Sequence, residues 1–142
     1  MTKFLRFALA TALALSFSTV LAQDEAATPT VEYTLVGQIG SQGFEWVGVG
    51  GDIDGVRNPE LNATVGDVVK VTIMSADGMQ HDFAIPDFEI ETQLTTGAGE
   101  EGAVSVTFEV TEAGTFTYLC TVPGHALPES NFGMFGDFVV GE

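Results

Sequence analysis

From Val31 onward, apolar and polar residues alternate with a period of two. Val31, Tyr33 and Leu35 alternate with Glu32 and Thr34, and Phe44 and Trp46 flank Glu45. After a Gly66-Asp67 turn, Val69, Val71 and Ile73 alternate with Lys70 and Thr72. Further on, Val104, Val106, Phe108 and Val110 alternate with Ser105, Thr107 and Glu109, and Phe116, Tyr118 and Cys120 share a face. Short alternating runs broken by glycine-rich segments predict antiparallel strands, each with one buried face. Gly97 to Gly102 reads as an exposed connection and Thr111-Glu112-Ala113-Gly114 as a tight turn. No helical apolar stripe and no internal repeat is present, so the pattern predicts an all-β domain built as a β-sandwich.

The first residues follow a different pattern. Lys3 and Arg6 precede an apolar stretch from Phe7 to Leu21, which ends in the small-residue pattern Val20-Leu21-Ala22. Residues 1–22 are therefore expected to be a signal peptide, removed before folding. The competing reading, a retained anchor, is disfavoured because the stretch is shorter than the ~20 residues that span a bilayer. Residues 23–30 are polar and unpatterned and read as a flexible lead. Residues 31–142 then form one domain, and no second domain has room. The expected destination is the periplasm or the exterior.

Charge narrows the choice of partners. The chain holds 20 Asp and Glu against 4 Lys and Arg. Once Lys3 and Arg6 leave with the leader, only Arg57 and Lys70 oppose the 20 acids, a formal charge of about −18. Such a field disfavours nucleic acid and anionic membranes and steers a basic protein toward the surface. An acidic surface serving solubility or salt tolerance explains the same composition.

The chemistry concentrates in three residues. His81 and His125 are the only histidines and Cys120 the only cysteine. In an exported protein an odd cysteine is free, bonded between molecules, or occupied by something else. A metal also accounts for the histidines, both placed at strand-to-loop junctions. Two imidazoles, a thiolate and the thioether of Met134 form the ligand set of a mononuclear blue-copper site. Zinc is the rival ion, since Cys and two His with a fourth ligand hold it tetrahedrally. Methionine suits zinc poorly, however, and no Asp or Glu stands at the fourth position.

Thr117-Tyr118-Leu119-Cys120, then Thr121-Val122-Pro123-Gly124-His125, then Phe132-Gly133-Met134 resemble the second half of a cupredoxin domain. Asn58-Pro59-Glu60-Leu61, Val65-Gly66-Asp67-Val68-Val69 and the segment around His81 resemble its first half, most closely in domains related to nitrite reductases and multicopper oxidases. The resemblance implies a Greek-key β-sandwich of about seven to eight strands. It implies that one copper is held by His81, Cys120 and His125 with Met134 axial, and that electrons leave through the His125 edge. Asp82 and Thr121 are implied to tie the two ligand loops together and to set a backbone N–H near the sulfur. One feature departs from the family: eight residues, Ala126 to Gly133, separate His125 from Met134, where a few are usual. Met79 is the alternative sulfur, although Gly133 and Gly136 around Met134 match the family's closing turn. The added Leu127 and Phe132 are expected to widen an apolar rim around His125.

The function implied is one-electron transfer by a monomer between redox proteins, such as a basic c-type cytochrome or a copper enzyme. Copper binding for delivery is the alternative. A copper reductase or oxidase needs further histidines for a second centre, and none remain. A thiol hydrolase built on Cys120 and His125 leaves His81 and Met134 unexplained. The chain is accordingly expected not to be an enzyme.

Overall fold

The computed structural model describes residues 27–142, so the expected signal peptide and the first half of the lead, residues 23–26, lie outside the described residues. The strands are β1 (Val31–Gly40), β2 (Gly43–Gly48), β3 (Leu61–Thr64), β4 (Val68–Ser75), β5 (Ala84–Ile85) and β6 (Ile90–Glu91). They continue with β7 (Val104–Glu109), β8 (Gly114–Leu119), β9 (Ala126–Leu127), β10 (Phe132–Gly133) and β11 (Phe135–Gly141). Four of these are two-residue pairings, which leaves seven longer strands. The only helical elements among the described residues are single 3₁₀ turns. No helix among them is long and apolar enough to cross a membrane.

Two sheets pack as a Greek-key β-sandwich, one ordered β2-β1-β4-β7 and the other β3-β11-β8-β5-β6, while β9 and β10 form a separate hairpin. The alternation in β4 works as read: Val69, Val71, Ile73 and Ser75 are buried, and the residues between them face outward in part. These side chains join Leu35, Trp46, Leu61, Phe83, Ile85, Tyr118 and Phe138 in one core. Because β7 is a sheet edge, Val104, Val106 and Phe108 are only half-buried.

Strand β2 departs from simple alternation, with Glu45 buried as well as Trp46. A buried carboxylate needs partners. Arg57 Nε lies 2.8 Å from Glu45 Oε2, and Gln38 Nε2 donates to Glu45 Oε1 at 2.9 Å. Thr30, at the end of the lead, is held to the body: its N–H donates to Val68 O and its hydroxyl to Asp67 Oδ1, both at 2.8 Å.

Registers bring the chemistry to one end of the sandwich. β1 runs parallel to β4 with Gly37 opposite Ser75, and antiparallel to β2 with Gly37 opposite Trp46 and Ile39 opposite Phe44. β8 runs antiparallel to β11, with Leu119 opposite Phe135, and meets β5 where Ala84 faces Leu119. The segment after β4, the residue after β8 and the residue before β11 therefore converge at the same edge.

Candidate metal centre

At that edge His81, Cys120 and His125 come together, their potential donor atoms all within 4.8 Å of one another. His81 and Cys120 are sealed and His125 is 4 % exposed. His125 Nδ1 lies 3.3 Å from His81 Nδ1 and 3.6 Å from Cys120 Sγ. His81 Nε2 lies 3.0 Å from Asp77 Oδ1. An ionised carboxylate only accepts, so Nε2 carries the proton and the Nδ1 lone pair of His81 points inward.

The walls of the site come from both sheets. Phe44 stacks on His125 with ring centroids 3.8 Å apart and an interplanar angle of 22°. Trp46 tilts against His81 at 5.9 Å, and its Nε1 has no hydrogen-bond partner. Met134 is fully buried. A Cβ built on Gly37 would stand 2.7 Å from His81 Cδ2 and 3.0 Å from Met134 Cε. Only glycine at position 37 leaves space for both side chains.

The eight residues between His125 and Met134 form a closed hairpin. Leu127 pairs with Phe132 and Ala126 with Gly133 across β9 and β10, and a 3₁₀ turn at Pro128–Ser130 joins the two strands. Met134 N–H then donates to His125 O at 2.8 Å, and Cys120 N–H donates to Met134 O at 3.0 Å. The longer loop thus returns Met134 beside both Cys120 and His125. Gly133 has a φ of 97°, and a Cβ there would lie 2.0 Å from His125 O. Asn58 clamps the hairpin to β2, its amide donating to Gly133 O at 2.8 Å while its Oδ1 accepts from Trp46 N–H at 2.9 Å. Met79, by contrast, is 44 % exposed.

Asp82 and Thr121 join the segments that carry His81 and Cys120. Thr121 N–H donates to Asp82 Oδ1 at 2.6 Å, and its hydroxyl donates to Asp82 Oδ2. Burial pushes the Cys120 thiol up to about 11, while the N–H groups of Asp82 and Val122 draw it part of the way back. Burial, and then the neighbouring His81, lower His125. For Asp77, burial acts upward, but hydrogen bonds from His81, Met79 N–H and Ser75 outweigh it, so its carboxyl sits below the usual value.

The donors fit a single soft-to-borderline ion. Nitrogen and sulfur edges of 3.3 and 3.6 Å suit donors sharing one centre through bonds of roughly 2.0–2.3 Å. No carboxylate belongs to the cluster among the described residues, and Met134 nearby is fully buried.

Sequence reasoning brought together His81, Cys120, His125, Met134, Asp82 and Thr121, and the fold places all six at this edge. It did not foresee Phe44 and Trp46 as aromatic walls, Gly37 as the floor, or Asp77 as the partner of His81. The Asp77-x-x-x-His81 spacing with its intervening Gly78 was the available signal for Asp77.

No protein-family model matches the chain, and no curated protein sequence matches it. Solved structures do. Auracyanin B is 18 % identical with a TM-score of 0.57, over 82 % of this chain and 93 % of that one. Rusticyanin from Thiobacillus ferrooxidans is 23 % identical with a TM-score of 0.55, over 80 % and 79 %. Auracyanin A, a "blue" copper protein from Chloroflexus aurantiacus, is 21 % identical with a TM-score of 0.54, over 78 % and 98 %. The chain has the cupredoxin fold that these proteins share.

Proposed function

We propose that this protein is an exported type 1 copper protein that carries single electrons between redox partners. The observation that carries this reading is the buried His81, Cys120, His125 cluster, with its two Nδ1 atoms 3.3 Å apart and Cys120 Sγ 3.6 Å from His125 Nδ1. Copper supplies a one-electron couple when bound there. His81, Cys120 and His125 would hold it, with Met134 as the weak axial sulfur.

The surrounding residues suit rapid exchange. An electron carrier must bind both oxidation states without rearranging, and a packed wall of Phe44, Trp46 and the hairpin resists rearrangement. The N–H groups aimed at Cys120 Sγ tune the couple by stabilising thiolate charge. Of the three residues His125 is the least enclosed, at 4 % exposed, and Leu127 and Phe132 stand 40 % and 39 % exposed on the adjoining hairpin. An apolar rim with a histidine edge at its centre suits brief docking and electron exit. The acidic surface favours a basic partner such as a c-type cytochrome.

Absorption spectroscopy of the copper-loaded protein tests this reading. The oxidised protein is expected to show an intense blue thiolate-to-Cu(II) band that ascorbate removes reversibly, and Cys120→Ser is expected to abolish it. A colourless Cu(II) complex, or preferential zinc binding, would overturn the proposal.

A further inference from the structure

Asp77 stands out among the acidic residues because its largely enclosed carboxylate bonds directly to the ring of a candidate ligand. Its side chain is 12 % exposed, and its Oδ1 contacts His81 Nε2 at 3.0 Å, Met79 N–H at 2.9 Å and Ser75 Oγ at 3.0 Å. Its Oδ2 is buried without any hydrogen-bond partner. Donors gathered on one oxygen mark the group as an acceptor, and the ring it faces is completely enclosed. Asp77 is the hydrogen-bond partner of that enclosed ring's Nε2.

We infer that Asp77 is a positioning residue for the metal. It locks His81 in the Nε2–H tautomer, with Nδ1 free to coordinate, and its charge favours the more positive oxidation state, so that it holds the reduction potential down. The inference rests on the copper reading above and adds to it the residue that sets the couple. A carboxylate behind a ligating imidazole makes the ring a stronger donor, and loss of such partners typically lowers metal affinity by about 10- to 100-fold. Asp82 accepts from Thr121 through both oxygens and acts on Cys120, not on the Nε2 of His81.

Three variants separate charge from orientation. Asp77→Asn keeps an amide oxygen as acceptor for Nε2–H and removes the charge. It is expected to retain the blue band and to shift the Cu(I)-to-Cu(II) equilibrium at least about tenfold toward Cu(I), about 60 mV for a one-electron couple. Asp67→Asn removes the same charge at the opposite end of β4, roughly 26 Å away along the strand. That separation exceeds the screening length of ~10 Å at 0.1 M salt, and the potential is expected to stay at the wild-type value. Asp77→Ala removes charge and acceptor together and is expected to weaken Cu(II) binding by about 10- to 100-fold.

A further readout needs no metal. ¹⁵N spectra of the histidine rings in the apo-protein are expected to show His81 solely as the Nε2–H tautomer. An Nδ1–H tautomer there would overturn the inference even if the variants fail to fold. So would a blue Asp77→Asn protein with an unchanged potential. A wild-type protein that never turns blue would instead defeat the copper reading, while the tautomer result would still stand or fall by itself.

Discussion

At the scale of single residues, the two methionines near the site divide by burial. Met134 is sealed in the core with its Cε beside His81, whereas Met79 lies 44 % exposed on the segment leading to His81. A weak axial thioether stabilises Cu(II), so its removal favours Cu(I). Met134→Leu, which conserves volume, is expected to keep the blue colour and raise the potential measured by voltammetry. Met79→Leu is expected to leave both unchanged, and a shift from Met79 with silence from Met134 would reverse the assignment. Gly37 shows why a position without functional atoms still matters here, since its missing Cβ is the space that His81 and Met134 occupy.

At the scale of elements, the turn between β3 and β4 ties the start of the domain to its sheets. Asp67 Oδ2 accepts from Thr64 N–H and from the Thr64 hydroxyl, both at 2.8 Å, and Oδ1 accepts from Thr30. The Thr64 N–H first, then the two hydroxyls, hold the Asp67 carboxyl below its ordinary value. A carboxylate depressed in the folded state adds stability that is fully present above its unfolded pKa and is lost as pH falls through the folded one. Thermal melts from pH 7 downward are expected to show wild type losing ground on Asp67→Asn below about pH 4. Parallel curves would mean that the turn carries no such coupling. The β9–β10 hairpin is a second structural tie. Phe132 packs on Gly43, whose added Cβ would sit 2.5 Å from its ring, and Asn58 secures Gly133, so eight residues are spent without loosening Met134.

At the scale of the whole molecule, charge and the location of the site work together. The centre lies at one end of the sandwich, beside the β9–β10 hairpin, in a chain of −16 formal charge. Association with a basic c-type cytochrome is expected to slow as ionic strength rises, because steering fades once the screening length falls to ~10 Å at 0.1 M salt. Stopped-flow rates that stay flat or increase with salt would assign the acidity to solubility instead.

Strand positions and the His81, Cys120, His125 cluster were legible in the sequence for definite reasons. Period-two alternation reports local burial directly, so β4 and β8 could be read with their buried faces, Val69 to Ile73 and Phe116 to Tyr118. Two histidines and one cysteine left few ways to assemble a soft-metal site, and the Cys120-to-Met134 segment brought most of it through local chain. What alternation cannot report is which neighbours cover a strand's second face. The burial of Glu45 depends on Arg57 twelve residues later, and the stacking of Phe44 on His125 joins segments 81 residues apart. The two-residue strands and the hairpin register were also decided by tertiary contact, since such short pieces have no periodicity of their own. Likewise, the role of Asp77 depends on the enclosure of His81, which Trp46, Phe44 and Gly37 create from across the sheet. The sequence by itself determined the donor atoms and the faces of the long strands, because both are properties of residues and their nearest neighbours. Only the tertiary structure decided how those donors are oriented, shielded and charged, because enclosure arises between segments far apart in the chain.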